Sequence, residues 1–172
     1  YLALMSGISS CAEQVYLSET GITLDSLTEE ARRMVSNFKR GRNLYLVVRN
    51  EEASPYYTTD LIAKVFAAEG AGIFDVRPAI LGHMQQGGNP SPFDRTLAVQ
   101  LASAAIDELS RQFSAGKPRG SYVGMQEGEL HINHVNHMDE QIDMDNSLPY
   151  DPWWLELTEV LYTVADSSYE KK

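Results

Sequence analysis

Apolar side chains that recur every three or four positions are typical of a helix that packs on one face, and this chain has several such stretches. In one of them, Ser26 and Glu29 have the spacing of a capping box, and apolar residues follow at helical intervals as far as residue 38. Another begins after a threonine, Thr58 or Thr59, that is suited to cap a helix. We predict helices at residues 1–10, 26–40, 58–70, 92–113 and 153–164.

Short apolar runs lie between the helices and predict strands. The run from Leu44 to Val48 is continuous, which is consistent with a strand covered on both faces, as in a parallel sheet. Another run, at residues 73–81, is interrupted by Arg77 and Pro78 but also predicts a strand. The alternation predicts an α/β fold, with a mostly parallel doubly wound sheet flanked by helices. Strands are expected at residues 14–17, 44–48 and 73–81, with a hairpin at 122–125 and 130–135 and a loop at 139–146.

A polar segment rich in Gly and Pro, residues 114–121, divides the chain into two parts. We expect residues 1–115 to form an α/β lobe, and residues 116–172 to form an acidic hairpin and a C-terminal helix. The chain starts at Tyr1 with a helix-like segment. This start predicts that residues 1–172 are a fragment of a larger chain.

The net charge is unevenly distributed along the chain, and its sign argues against some classes of binding partner. Of the net charge of -10, residues 1–119 hold -1 (12 Lys and Arg against 13 Asp and Glu) and residues 120–172 hold -9 (2 against 11). Nucleic acids and anionic membranes require a basic surface, so we expect neither as a partner. No apolar run has the roughly 20 residues of a membrane span. The single cysteine, Cys11, cannot form an internal disulfide, which favours a reducing, cytoplasmic location.

The segment GHMQQGGNPSPFDR, residues 82–95, joins a glycine-containing loop to a strong helix start. Gly87 and Gly88 lack side chains, which allows backbone N–H groups to approach a ligand. Ser91 fits the N-cap of the following helix, and Asp94 has the position of a capping-box acid. The free N–H groups of a helix start attract phosphate. Together with the polar side chains of the loop, the segment predicts a site for an anionic ligand rich in hydroxyl groups.

Arg77 and Glu51, upstream of this segment, and His83 within it have the chemistry to contribute to such a site. The guanidinium of Arg77 can bind a phosphate through a forked pair of hydrogen bonds, and His83 can donate to a phosphate or a sugar hydroxyl. Glu51 follows a predicted strand, where sites of open α/β sheets form, and its carboxylate can accept from sugar hydroxyls. The alternative from the residues alone is that Arg77 and Glu51 form a surface pair and that His83 is a turn residue.

The segment HINHVNH, residues 131–137, raises the possibility of a metal site. On a strand, His131 and His137 share a face and His134 points away, so a single ion cannot collect all three without a loop. Solvated histidines at a strand edge are the favoured interpretation, and we expect no metal site.

Four segments resemble the C-terminal, regulatory half of eukaryotic ATP-dependent 6-phosphofructokinase. They read VVRNEEASPYYTTD, GIFDVR, GHMQQGG followed by PSPFDR, and PWW, and they start at Val47, Gly72, Gly82 and Pro152. The resemblance implies a phosphofructokinase-like fold and a parent enzyme that phosphorylates fructose 6-phosphate in glycolysis. It also implies that ATP and magnesium bind in the catalytic half, that this fragment binds neither and is inactive alone, and that the parent forms a homo- or hetero-tetramer.

The resemblance further implies a sugar-phosphate site on this segment. In the family's catalytic half the loop reads GHxQRGG, whereas Gln86 stands here in place of the arginine, as in the half that binds the activator fructose 2,6-bisphosphate. Animal members have a further phosphate-binding arginine before PWW, near Ser147 of this chain, so activator binding is expected to be weak or shifted to another sugar phosphate. A fructose 6-phosphate pocket or a structural lobe without ligand are the alternatives. The implied contact residues are Glu51, Arg77, His83, Met84, Gln85 and Gln86, with Gly87 and Gly88 shaping the loop.

Overall fold

The computed structural model describes residues 1–126, 128–145 and 148–165. The helices are α1 (Leu2–Ser9), α2 (Leu24–Lys39), α3 (Thr59–Gly70), α4 (Pro92–Ala115) and α5 (Thr158–Ala165). The strands are β1 (Gln14–Tyr16), β2 (Val47–Arg49), β3 (Ser121–Gln126), β4 (Glu129–His134), β5 (Ile142–Asp143) and β6 (Leu148–Pro149). Contacts divide the chain into a first unit, residues 1–81 with 153–172, and a second unit, residues 82–152. No described helix is long and apolar enough to cross a membrane.

The first unit contains the parallel sheet. Strands β1 and β2 pair in parallel, with Val15 opposite Val48, and α1 packs on both strands. Gly7 of α1 permits this close packing, because a Cβ atom there would overlap the Cγ2 atom of Val15. The α/β class is thus confirmed, and within the described residues its parallel sheet has two strands.

The strand predicted at residues 44–48 starts three residues later. Leu44 is 75% exposed and Leu46 is 37% exposed, so this run is not covered on both faces among the described residues. The apolar run alone did not reveal which of its residues find a neighbour on each face.

Two apolar clusters form the core of the first unit. One lies between α2 and α3 and contains Leu27, which is fully buried, and Phe66. The other joins α1 to α5 through Leu4 and Leu161. The start of α2 differs from the expectation, because the capping box is made by Thr23 and Ser26 rather than by Ser26 and Glu29. The predicted cap of α3 at Thr58 is confirmed, since its hydroxyl accepts from the N–H of Leu61.

The strand predicted at residues 73–81 is not formed. Phe74 and Val76 pack against the core, but the chain then runs without a strand and leaves Ile80 77% exposed. Pro78 has no N–H to give to a ladder, so this prediction was wrong for a reason visible in the sequence.

The second unit is built on the long helix α4 and the hairpin of β3 and β4. Both were predicted, and the hairpin pairs Ser121 with His134 and Gln126 with Glu129. The expected loop at residues 139–146 instead includes β5, which pairs with β6, while Asn146 lies outside the described residues. In the predicted helix at 153–164, which belongs to the first unit, residues Trp153–Leu157 form a 3-10 helix before α5 begins. The division of the chain at 115/116 remains a prediction.

Candidate functional site

The residues predicted to bind a ligand fall into two groups, one on each unit. Glu51 and Arg77 belong to the first unit, and His83 to Gly88 belong to the second. Each group is described within its own unit.

Glu51 begins a 3-10 helix, Glu51–Ala53, directly after β2. It therefore lies at the carboxyl end of the parallel pair, where α/β folds place their sites. Asn50 holds the turn, since its side-chain oxygen accepts from the N–H of Glu52 and its amide donates to the Ser18 hydroxyl at 3.2 Å. Its backbone N–H donates to the Tyr16 carbonyl at 2.8 Å, which ties the turn to β1.

Arg49, which no sequence pattern singled out, fixes the other side of this turn. Arg49 donates through Nη2 to the Ser54 carbonyl at 2.7 Å and through Nε to the Tyr57 carbonyl at 3.1 Å. The Ser54 hydroxyl in turn accepts from the N–H groups of Tyr56 and Tyr57. A turn signal, Ser54 followed by Pro55, was present in the sequence. Because the guanidinium of Arg49 is used to build the loop, it is not an open cation for a ligand.

Arg77 lies in the extended segment that follows Val76 and is exposed. No ion pair joins it to Glu51, although both residues are described. The alternative in which the two form a surface pair is therefore not what the structure contains. The guanidinium remains open to solvent and to a ligand.

The loop of the second unit is a 3-10 helix, Gly82–Gln86, which holds His83, Met84, Gln85 and Gln86 on consecutive positions. It ends at Gly87, whose φ of +82° is a conformation that residues with a side chain rarely adopt and whose N–H donates to the Met84 carbonyl at 3.1 Å. Gly88 has no such backbone requirement, and the space around its Cα is open. Of the two glycines predicted to shape the loop, Gly87 is therefore the one whose backbone conformation requires a glycine.

The predicted capping box at the start of α4 is confirmed. The carboxylate of Asp94 accepts from the N–H and the hydroxyl of Ser91, both at 2.7 Å, and the Ser91 hydroxyl accepts from the N–H of Asp94. The pKa of Asp94 is lowered mainly by the hydrogen bond from the Ser91 side chain, and also by the one from the Ser91 backbone. A negative charge is thus already seated at this helix start, which weakens its attraction for a phosphate.

The side chains of both groups have no structural role within the described chain. Glu51, Arg77 and the loop residues from His83 to Gln86 are exposed, and none of these side chains makes a hydrogen bond or ion pair to a described residue. This contrasts with their neighbours Arg49, Asn50 and Ser91, which build the local backbone. The predicted contact residues are therefore exposed and unpaired among the described residues, and their role in binding stays a prediction.

Two of the three histidines of residues 131–137 make separate contacts. The Nδ1 atom of His134 lies 3.3 Å from the Ser121 hydroxyl, and that of His137 lies 3.1 Å from the carboxylate of Glu140. Within the described part of the chain, no group of three or more His, Cys, Asp or Glu side chains could hold a metal ion.

Comparison with known proteins agrees with the resemblance. A family model described as phosphofructokinase matches residues 1–109. The muscle-type ATP-dependent 6-phosphofructokinases of dog (Canis lupus familiaris), mouse (Mus musculus) and human (Homo sapiens) are each 35% identical over 175 residues, which cover 96% of this chain and 22% of the relative. This chain thus spans about a fifth of the length of those relatives.

Solved structures give the same result. Phosphofructokinase from Saccharomyces cerevisiae matches with a TM-score of 0.88 and 28% identity, over 95% of this chain and 23% of that chain. The T-state structure of Pichia pastoris phosphofructokinase matches in fold with a TM-score of 0.85 and 24% identity, over 95% of this chain and 20% of that chain. The family model covers more than half of the residues, and sequence and fold agree with it; this chain belongs to the phosphofructokinase family.

Proposed function

We propose that this chain is the C-terminal, regulatory part of an ATP-dependent 6-phosphofructokinase and that it carries a site for fructose 2,6-bisphosphate. The parent would transfer the γ-phosphate of ATP to fructose 6-phosphate, with magnesium, in the cytoplasm and as a homo- or hetero-tetramer. Family membership and the names of the relatives support the activity of the parent. ATP and magnesium would bind in the catalytic half, because this segment has neither a glycine-rich nucleotide loop nor a catalytic Asp segment, so it would be inactive by itself.

One observation carries the proposal for this segment: the side chains that the resemblance assigns to the ligand are exposed and unused by the fold. Polar side chains that are already paired would have to break those bonds before they bind a ligand. Arg77 and His83 have no such bonds within the described residues, whereas the nearby Arg49 has two. Arg77 and His83 can therefore bind a ligand without first breaking bonds within the chain.

Each group would contribute a different chemistry. The Arg77 guanidinium would bind a phosphate as a fork, and His83 would donate to a phosphate or a sugar hydroxyl. The amides of Gln85 and Gln86 would donate hydrogen bonds without adding charge. Glu51 would accept from the sugar hydroxyls. The backbone conformation at Gly87 would keep the side chains from His83 to Gln86 in position to contact the ligand.

The identity of residue 86 favours an effector over a substrate. An arginine at this position helps to bind the substrate phosphate in the family's catalytic half, and Gln86 keeps a donor but loses the charge. The basic residue expected before Trp153 is also absent, and Ser147, which stands near that place, lies outside the described residues. Loss of one charged contact costs about 1.5–3 kcal/mol, so we expect weaker activator binding than in the animal enzymes.

The decisive experiment compares Arg77→Ala with Arg32→Ala in the intact enzyme that carries this chain. Arg32 is an exposed arginine of α2 in the same unit and serves as the charge-matched control. The proposal predicts that Arg77→Ala loses activation by fructose 2,6-bisphosphate, while basal catalysis is retained and Arg32→Ala behaves as the parent. Unchanged activation in Arg77→Ala would favour a structural lobe that binds no effector.

A second measurement separates effector from substrate. Because the catalytic half would also bind fructose 6-phosphate, binding of the bisphosphate and of the monophosphate is followed locally, by hydrogen–deuterium exchange of peptides covering residues 82–95, in the parent and in Gln86→Arg. We expect the parent to prefer the bisphosphate, and the variant to gain roughly tenfold or more in affinity for the monophosphate, the effect of one charge-assisted hydrogen bond. A parent that already prefers fructose 6-phosphate would support the substrate-type pocket instead.

A further inference from the structure

The cations of the second unit are concentrated at one place. Residues 82–152 contain four Lys and Arg residues against ten Asp and Glu residues. Three of those four cations line a single cleft of about 160 Å³ at the C-terminal end of α4. Its charged and polar lining residues are Glu108, Arg111, Gln112, Lys117, Arg119 and His134.

The wall of this cleft is an organised network of hydrogen bonds. Arg111 donates to both carboxylate oxygens of Glu108 at 2.8 Å, and the Gln112 amide donates to Glu108 at 2.7 Å and to the Ser121 hydroxyl at 2.9 Å. The oxygen of the same amide accepts the N–H of Arg119 at 2.7 Å. Glu108 and Gln112 are the two buried residues of α4, so the network is fixed against the hairpin.

Two features of this place oppose an anion, and the structure offsets both. The Glu108 carboxylate is neutralised by the two bonds from Arg111, which, together with Gln112, lower its pKa. The negative end of the helix dipole is reduced because the N–H groups of Gly116 and Lys117 donate to the last carbonyls, those of Phe113 and Gln112.

The remaining charge is positive. Neither Lys117 nor Arg119 has a carboxylate within ion-pair distance among the described residues, and both are exposed at the rim of the cleft. The Ser121 hydroxyl can donate to Nδ1 of His134, in which case the ring carries its hydrogen on Nε2 as a further donor.

We infer that this cleft binds a phosphate group, held by Lys117 and Arg119 with His134 as a neutral donor, at the opposite end of α4 from the loop of His83. Arg and Lys are the residues that bind phosphate in proteins, as a fork and as a point charge respectively. The helix of 24 residues separates the two places by about 36 Å at 1.5 Å per residue. The cleft admits inorganic phosphate or the phosphate end of a small ester.

The test is hydrogen–deuterium exchange of the intact polypeptide that carries this chain, because peptides covering residues 108–126 report the cleft locally. The probes are inorganic phosphate, glycerol 3-phosphate and, as an uncharged control, glycerol. We expect both phosphates to slow exchange in these peptides, less at high salt, and glycerol to have no effect. Protection by inorganic phosphate alone would identify the free ion as the ligand, and protection by both would identify a phosphate group.

Substitutions test which residues of the cleft bind the phosphate. Arg119→Ala and Lys117→Ala should each raise the half-saturating phosphate concentration roughly tenfold, whereas Arg95→Ala, at the other end of α4, should leave it unchanged. Glu108→Gln should lower it, because it removes the negative charge of the wall. Exchange without ligand verifies that each variant keeps the hairpin. Absence of protection at saturating phosphate, or protection in both alanine variants at the same phosphate concentrations as in the unsubstituted chain, would overturn the inference.

Discussion

The two units bury different kinds of side chain. In the first unit the core is apolar, with Leu27, Leu4 and Leu161 fully enclosed. In the second, the buried residues of α4 are Glu108 and Gln112, while Phe113 is 87% exposed. The first unit therefore depends on removal of apolar surface from water, and the second depends on hydrogen bonds made by a few polar groups.

The largest effect is expected from the apolar core. Leu27→Ala should lower the free energy of unfolding by about 2–5 kcal/mol, because it leaves a cavity where no atom of the residue was exposed. Val99→Ala, in α4 at 69% exposure, is the matched control and should change stability by less than about 0.5 kcal/mol. Denaturant unfolding measures both. Equal effects of the two variants would show that the units do not differ in this way.

A smaller loss is expected from the polar network. Gln112→Ala removes hydrogen bonds to Glu108, Ser121 and the N–H of Arg119, and should cost about 1–3 kcal/mol. Its neighbour Phe113→Ala removes a larger but exposed side chain and should cost less. If unfolding showed Phe113→Ala to be the more damaging, the exposed apolar side chains of α4 would have to be covered in solution.

The smallest effect is expected from Glu30, a carboxylate that the first unit buries. Glu30 is 3% exposed, accepts a hydrogen bond from Tyr45 and lies 3.7 Å from Arg33. Burial raises its pKa above the ordinary value of 4.5, although Tyr45 and Arg33 oppose the shift. A raised acid pKa stabilises the fold below the ordinary value, and this contribution is lost as the pH rises through the folded value.

The corresponding variant is Glu30→Gln, which can still accept from Tyr45 but does not ionise. Its stability relative to the parent should rise between the ordinary glutamate pKa and neutral pH. Unfolding curves at those two pH values test the sign. A difference that stays constant with pH would mean that the carboxylate is not perturbed by burial.

Local chemistry was predictable from the sequence, whereas coverage by distant residues was not. The capping box of Ser91 and Asp94 and the hairpin of β3 and β4 depend on neighbours in sequence, and both were found where expected. The exposure of Leu44 depends on which residues cover it in space, which an apolar run does not encode. Pro78 is different, because its missing N–H was visible and argued against a strand.

The same distinction applies to the candidate site. The polar character of the loop at His83 and the position of Glu51 after a strand follow from local sequence. The role of Arg49 in building the turn, and that of Gln112 in joining Glu108 to Ser121, depend on partners that no spacing rule identifies. The residues predicted to contact a ligand were recognisable by the functional group of the side chain. The residues not predicted were those whose side chains hydrogen-bond to backbone groups elsewhere in the chain.

Helix α1 approaches β1 so closely at Gly7 that a side chain added there would affect the turn at Glu51. An added methyl group there would act as a wedge under Val15, and the displacement would pass along the strand to Tyr16, whose carbonyl anchors Asn50. Glu51, which begins the turn one residue after Asn50, would then change position although none of its neighbouring residues is substituted. A substitution at Gly7 can in this manner change the position of Glu51, although the two residues are far apart in the sequence.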